Sequence, residues 1–266
     1  MDQPSQLPSQ IANFRDVGVT INQFLGERRI REGLFYRSAR PDEATPKDKA
    51  LIRDEMGIRT IIDLRTRTEH LKQAEKHNAP LQMALPLRQS LPVLMEWSIE
   101  PSAKLVFFYV FGYRMSAVKI ISHKVMRPRG PVRLGLVILD HSGSEICQIL
   151  SLYTSSQSLP SLLHCTHGKD RTGLICVLIL TILGIPIPAI EHDYFLSDAG
   201  LISQREVMLK EISEVDLTEE WMQTAKDMIT EGERHLTEHY GGIDNYLDRI
   251  GFDQVRRDKL REVLLY

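Results

Sequence analysis

Residues 158–184 read SLPSLLHCTHGKDRTGLICVLILTILG. An apolar run, a short polar loop and a second apolar run follow one another without a spacer, and this order constrains the fold more than any other stretch. LPSLLHC reads as a central strand and 171–183 as a buried helix. The longer run, Leu174 to Leu183 broken only by Thr181, ends at Gly184 and Pro186. It is far short of the roughly 20 residues needed to cross a bilayer. A loop between a strand and a helix N-terminus points successive backbone N–H groups toward one spot, and the helix end adds partial positive charge there. Such a place binds anions, and a phosphate is the obvious occupant.

The residue types in the loop fit an attack on that occupant. Cys165 is the nucleophile candidate, because a helix N-terminus and nearby cations lower a cysteine pKa from its free value of about 8.5. His164, Lys169 and Arg171 are close enough in sequence to contribute. Arg171 can fork two donors onto two oxygens of a phosphoryl group. Gly168 permits positive φ and a close backbone approach. Thr172, next to the arginine, can offer its hydroxyl to the departing sulfur. The chemistry that follows has two steps: Cys165 takes the phosphoryl group, and water releases inorganic phosphate. It needs no metal and no cofactor, since the loop itself neutralises charge. A zinc site from His164, Cys165 and His167 fits no common ligand spacing, and the neighbouring cations would repel the metal.

The rest of the chain supplies the frame. Residues 11–21 and 30–37 read as short strands with a turn between. Thr45-Pro46 reads as an N-cap and first-turn proline, with Leu51, Ile52 and Met56 as the apolar stripe and Gly57 as the stop. Ile58, Ile61, Ile62 and Leu64 make a strand buried on both faces, ending in Asp63, Arg65, Arg67 and Glu69. A further strand is expected at 82–87 and a helix over 102–126. Residues 127–142 carry no readable period, and 143–156 reads as a helix begun by Ser144. Helices are expected at about 188–199, 201–213, 218–239, 243–249 and 253–264. The order predicts an α/β fold: a central, partly parallel sheet flanked by helices, with a helical C-terminal part.

Composition narrows the partners. The 266 residues are 42% hydrophobic and 26% charged, ordinary for a soluble globular protein. A net charge of −2 gives no global attraction to nucleic acid or to an acidic membrane, so anion binding has to be local. Cys147, Cys165 and Cys176 form neither a disulfide framework nor a metal pattern, which points to a reducing, cytoplasmic setting. Cys147 and Cys176 read as packing residues. The N-terminal MDQPSQLPSQ is polar and lacks a signal-peptide pattern. Residues 1–10 are therefore expected to be a flexible lead-in, and 11–266 a single domain without a transmembrane segment.

HCTHGKDRTG resembles the signature of the protein tyrosine phosphatase superfamily. It is most similar to the atypical bacterial and fungal tyrosine-and-lipid phosphatases, whose loops read His-Cys, two variable residues, Gly-Lys-Asp-Arg-Thr-Gly. NFRDVG at 13–18, GLFYRSA at 33–39, GIRTIIDLRTRTE at 57–69 and YGGIDNYLDRIGF at 240–252 look like blocks of that group, in its order. Residues 88–142 match least. In relatives this region varies and can form a helical lid, a part LVFFYVFGY could play here, a plain core helix being the alternative. The resemblance implies the cysteine-dependent phosphatase fold, with Cys165 and Arg171 catalytic. Thr166, His167, Gly168, Lys169, Thr172 and Gly173 would hold the phosphate.

The leaving oxygen needs a proton, usually from a carboxylic acid. No Trp-Pro-Asp is present, and Trp97 has no Asp after it. Asp170 ranks first, since relatives with Lys-Asp-Arg in the loop are thought to use it. Asp63 ranks second, at the carboxyl edge of the sheet where ligands bind in open α/β folds, with an ion pair to Arg171 or Arg65 as its structural alternative. Asp140 ranks third. Lys169 and His167 make the loop more cationic than phosphotyrosine requires, and His123, Lys124, Arg127, Arg129 and Arg133 could add a basic rim. The substrate is accordingly a phosphorylated protein or, alternatively, a phosphoinositide. A phosphate-binding module without turnover is the reading of another class.

Overall fold

The computed structural model describes residues 7–66, 69–71, 73, 89–92 and 126–266, with the backbone alone for 89–92 and 129. Five strands make one sheet: β1 (Arg15–Asp16), β2 (Phe35–Ser38), β3 (Thr60–Asp63), β4 (Gln89–Pro92) and β5 (Ser161–His164). Their order is β1-β2-β5-β3-β4, antiparallel only between β1 and β2. The partly parallel α/β sheet expected from sequence is present, with LPSLLHC supplying its central strand.

Alternation along the strands builds a core on each face. Tyr36, Leu162 and Ile61 stand side by side across β2, β5 and β3 and join one apolar cluster with Ile52, Met56 and Ile58. Their neighbours Phe35, Leu163 and Ile62 join the larger cluster on the other face. Successive side chains of a strand point to opposite faces, so two adjacent apolar residues serve two cores. Into the larger cluster packs α5 (Asp170–Ile182), which is apolar almost all round. That pattern marks an enclosed helix. Among the described residues no helix is long and apolar enough to cross a membrane.

Several local expectations match. Thr45 and Asp48 form a reciprocal capping box before Pro46–Ala50 (α2), which continues as a π-helical turn over Leu51–Glu55. Arg127–His141 (α3) leaves helical geometry at Gly130 (φ 69°), just before Pro131, which explains the missing period there. Gly143–Leu152 (α4) follows. The C-terminal part is helical: α6 (Ile187–Gly200), α7 (Arg205–Glu214), α8 (Met228–Tyr240), α9 (Ile243–Arg249) and α10 (Gln254–Leu264). The strand expected at 82–87 and the helix at 102–125 lie outside the described residues, as do Arg67, Trp97, His123 and Lys124.

The strand expected over 11–21 is corrected. Only Arg15 and Asp16 pair as a strand, and Val17–Leu25 is helix α1. The Asp16 carboxylate accepts from the Gly18 and Val19 amides, a helix N-cap, and also from the Gly33 amide at 2.5 Å. Val17, Val19 and Ile21 alternate like a strand, but Val17 and Ile21 are also four apart and share a buried helix face. Ser9, in the expected lead-in, donates its amide to Asp48 at 2.7 Å.

Ser38, His164 and Asp63 end β2, β5 and β3 in register, so three chain segments leave the sheet at one carboxyl edge. The Leu163 side chain, fully buried on the central strand, ties that edge to the larger core. Leu163→Ala is expected to lower unfolding free energy by about 2–5 kcal/mol in a urea titration, the usual cost of a large-to-small change in a closed core. A loss under about 0.5 kcal/mol would contradict this packing.

Candidate active site

Residues 165–169 connect β5 to α5 at the carboxyl edge, and Cys165 is buried at their start. Gly168 has φ +66°, and a Cβ there would stand 2.1 Å from the Ser38 carbonyl oxygen. Only glycine fits both demands. The loop's carbonyls are occupied on its outer side. The Arg40 amide donates to Thr166 O (3.1 Å), and Asn13 Nδ2 donates to His167 O (3.1 Å) and Gly168 O (3.0 Å). Arg37 Nη2 adds a bond to Gly168 O at 2.8 Å. Among the described residues the amides of Thr166, His167, Gly168 and Lys169 find no acceptor. They and the first amides of α5 are the donors an anion would use.

Arg171 stands in the first turn of α5. Its Nη1 donates to Leu64 O (3.0 Å) and Glu69 Oε2 (2.7 Å), and its Nη2 to Glu69 Oε1 (2.6 Å). Of the five guanidinium N–H groups, the Nε one and one on Nη2 keep no partner among the described residues. They lie on one edge of the fork. Burial works against the charge of Arg171, but Glu69, Cys165 and Asp170 around it raise its proton affinity. Cys165 and Arg171 thus lie within electrostatic reach of one another. Glu69 also accepts from the Thr66 amide and hydroxyl and from the Thr166 hydroxyl. Despite burial, Arg171 pulls its carboxyl well below the usual range.

The other expected site residues divide between the pocket and its supports. Thr172 is fully buried beside Arg171, and its hydroxyl has no partner among the described residues. Gly173 packs against Tyr194, whose ring would be 2.6 Å from an added Cβ. Lys169 is buried, and its ammonium donates to Trp221 O (3.2 Å) and Gln223 O (2.6 Å), 3.1 Å from Asp170 Oδ1. His167 Nε2 lies 3.1 Å from Glu211 Oε2, and Glu211 also takes Arg40 Nη2 at 2.5 Å. The surplus of free cations expected from Lys169 and His167 is therefore absent: one is bound to backbone carbonyls and the other to a carboxylate. Arg127 lies 3.7 Å from Asp216.

Asp63 is engaged by Arg65 through the backbone amide (3.0 Å), Nε (3.0 Å) and Nη2 (2.7 Å). Burial pushes its carboxyl up, but His164, Arg65 and His70 outweigh this and bring it to about 2. Its contacts fit the ion-pair alternative, with Arg65 as partner. His164 sits 3.7 Å from Asp63 and is held toward the neutral form by burial. Asp140 accepts from His235 (2.7 Å) and Tyr240 (2.8 Å) on α8, not from the loop. Cys176, on α5, is a buried thiol pushed up to about 12.

Sequence reasoning missed Glu69 as a partner of Arg171, Asn13 and Arg37 as holders of the loop carbonyls, and Glu211. Asn13, Arg37 and Glu69 stand inside the blocks quoted above, which was the available signal. Glu211, on a helix with no recognised block, offered none.

A cysteine at a strand end, loop amides without acceptors among the described residues and an arginine in the first turn of the next helix make up the candidate site. A model of the tyrosine phosphatase family matches residues 8–266, and the chain belongs to that family. It is 41% identical over 59 residues to a tyrosine-protein phosphatase of Nostoc commune, covering 22% of this chain and 20% of that protein. It is 28% identical over 121 residues to the triple specificity protein phosphatase PtpB of Mycobacterium tuberculosis, covering 40% of this chain and 44% of that one. The matched stretches thus span less than half the length of these two relatives. A provisionally named tyrosine-protein phosphatase of Cupriavidus necator is 23% identical over 246 residues, 89% of this chain and 80% of its own.

Asp63 and Glu211 both titrate near 2, and Glu69 is lowered as well. Each carboxyl is depressed relative to the unfolded chain, so the stability it contributes is complete above about pH 4.5 and is lost as pH falls toward 2. For Asp63 the loss is on the order of 2 kcal/mol. Thermal midpoints are expected to fall steeply from pH 4.5 downward, and less steeply in Glu69→Gln. A wild-type midpoint that stays level to pH 3 would contradict these ion pairs.

Proposed function

We propose that the protein is a cysteine-dependent phosphatase that hydrolyses phosphate monoesters of phosphotyrosine and dual-specificity protein substrates. The observation that carries this is the fork of Arg171: two edges are fixed by Glu69 and Leu64 O, and among the described residues the remaining N–H pair and the amides of the loop that precedes it have no partner. The same loop begins with Cys165.

In the first step the Cys165 sulfur attacks phosphorus, the phosphorus–oxygen bond to the leaving group breaks, and the leaving oxygen takes a proton from a carboxylic acid. Charge on the equatorial oxygens is met by the loop amides and by the free Nε and Nη2 donors of Arg171. In the second step water attacks phosphorus, its proton goes to the carboxylate, and the sulfur leaves as inorganic phosphate forms. The Thr172 hydroxyl, buried without a partner among the described residues, is the donor available to that sulfur. Asp170 is the acid in this reading. It is the first residue of α5, directly after the loop, and its side chain is 41% exposed. Asp63 at about 2 stays ionised at neutral pH and has no proton to give.

The engagement of His167 by Glu211 and of Lys169 by the 221–223 backbone supports a protein substrate over a phosphoinositide, since the extra cations that favoured the lipid are occupied. The full set of Cys, Arg and Thr argues against a binding module, which needs no nucleophile.

Cys165→Ser is expected to lower turnover at least about 10³-fold while phosphate binding persists. A wild type that binds phosphopeptide and releases no phosphate would instead be the binding module. Release from soluble phosphoinositide head groups in preference to phosphotyrosine peptide would overturn the substrate reading. Asp170→Asn is expected to slow esters of poor leaving groups about 10²–10⁴-fold and nitrophenyl phosphate far less. Equal slowing of both would remove Asp170 from the acid role.

A further inference from the structure

Behind the loop lies a buried charge cluster that the two-step reaction does not use. Arg37 on β2 and Asp193 on α6 are both fully enclosed. Asp193 takes Arg37 Nη1 at 2.5 Å on one oxygen and Arg15 Nε at 2.8 Å on the other. Two guanidinium groups against one carboxylate leave one positive charge in excess. That excess is aimed at the loop: Arg37 Nη2 reaches Gly168 O at 2.8 Å. Asn13, whose Oδ1 is held by Arg15 Nη1 at 2.5 Å, brings its amide to His167 O and Gly168 O. A buried ion pair is a poor stabiliser, often replaceable by apolar groups without loss. Its placement therefore calls for another reason.

Peptide geometry supplies one. A carbonyl and the N–H of the next residue share one rigid plane and point in opposite directions. Fixing His167 O outward turns the Gly168 N–H inward, and fixing Gly168 O outward does the same for the Lys169 N–H. The Arg40 amide on Thr166 O treats the His167 N–H likewise. Three consecutive amides are thereby aimed at the anion before any anion arrives.

We propose that Arg37 is a positioning residue: pinned by Asp193, it holds the 167–169 peptide planes with their N–H groups toward the bound phosphoryl group. This rests on the phosphatase reading above. The charge of Arg37 also lies within electrostatic reach of Cys165 and Cys176.

The test is the inhibition constant of inorganic phosphate against nitrophenyl phosphate hydrolysis, measured beside the thermal midpoint in the full chain. Arg37→Met is expected to raise that constant about tenfold or more, the loss of one charge-assisted hydrogen bond. Arg37→Lys, which keeps the charge but cannot fork between Asp193 and Gly168 O, is expected to recover part of it. Asn13→Asp, nearly isosteric and tolerant of the φ of 57° at that position, replaces the amide donor by a carboxylate oxygen that repels the two loop carbonyls. It is expected to raise the constant about threefold. Folded Arg37→Met with a lower midpoint and a phosphate constant within twofold of wild type would overturn the proposal. Should Arg37→Met not fold, Arg37→Lys decides: an unchanged constant overturns it and a raised one supports it. A wild type that neither hydrolyses the ester nor binds phosphate overturns the phosphatase reading and the proposal with it, whereas an active wild type with unaffected variants overturns the proposal alone.

Discussion

The two-point pair between Glu69 and Arg171 joins residues 102 positions apart and fixes the plane of a guanidinium at the end of the sheet. A free arginine side chain has about 2 kcal/mol of rotamer entropy to lose on docking. Here the fold has already removed it, through Glu69 on one edge and Leu64 O beside it. The hydroxyl of Thr166 reaches the same carboxylate, so the loop and the arginine share a single anchor. The remaining N–H donors are left in a fixed direction, which is the condition for stabilising charge that appears only in a transition state.

Around that pair the carboxyl edge is built from arginines matched to carboxylates. Arg65 is held by Asp63 and Asp42, Arg40 by Glu211, and Arg15 and Arg37 by Asp193. A net charge of −2 for the chain conveys none of this. The pairs are largely buried, so they are screened less by salt than surface pairs would be. They also explain why so many charges can gather at one edge: most of the cations arrive with a counter-charge of their own, and Arg15 and Arg37 share the single carboxylate of Asp193. The third apolar cluster, Ala39, Leu201, Met208, Ile212 and Met222, packs beside this edge and carries Glu211 and the 221–223 carbonyls to the loop.

Periodicity made the centre of the fold legible. β5, α5 and the β3 strand follow from apolar runs whose lengths and flanking residues leave little choice, and the loop between β5 and α5 follows from them. The error at 11–21 has a physical cause. Over five residues a period of two includes both positions that a spacing of four selects, and the Asp16 cap is the local signal that separates helix from strand. Glu69 and Arg37 were in view as residues but not as partners, because pairing across 102 or 131 positions is set by sheet order. Asp193 and Glu211 lie on α6 and α7, where the local pattern shows ordinary helices.

The same limit explains the reversal over the loop's cations. Sequence counts Lys169 and His167 as charges near a phosphate, but a side chain acts where its stem points. From the helix entry, Lys169 is directed into the 221–223 backbone, where two carbonyls take its donors, with the Asp170 carboxylate 3.1 Å away. An ammonium there ties the third cluster to the start of α5 and is withdrawn from a second substrate phosphate. His167 is turned to Glu211 in the same way. Anion recognition in this loop then falls to amides and to one edge of Arg171. In the proposed reaction those donors serve the three oxygens of a single phosphoryl group, and discrimination among esters passes to the residues that surround the leaving group.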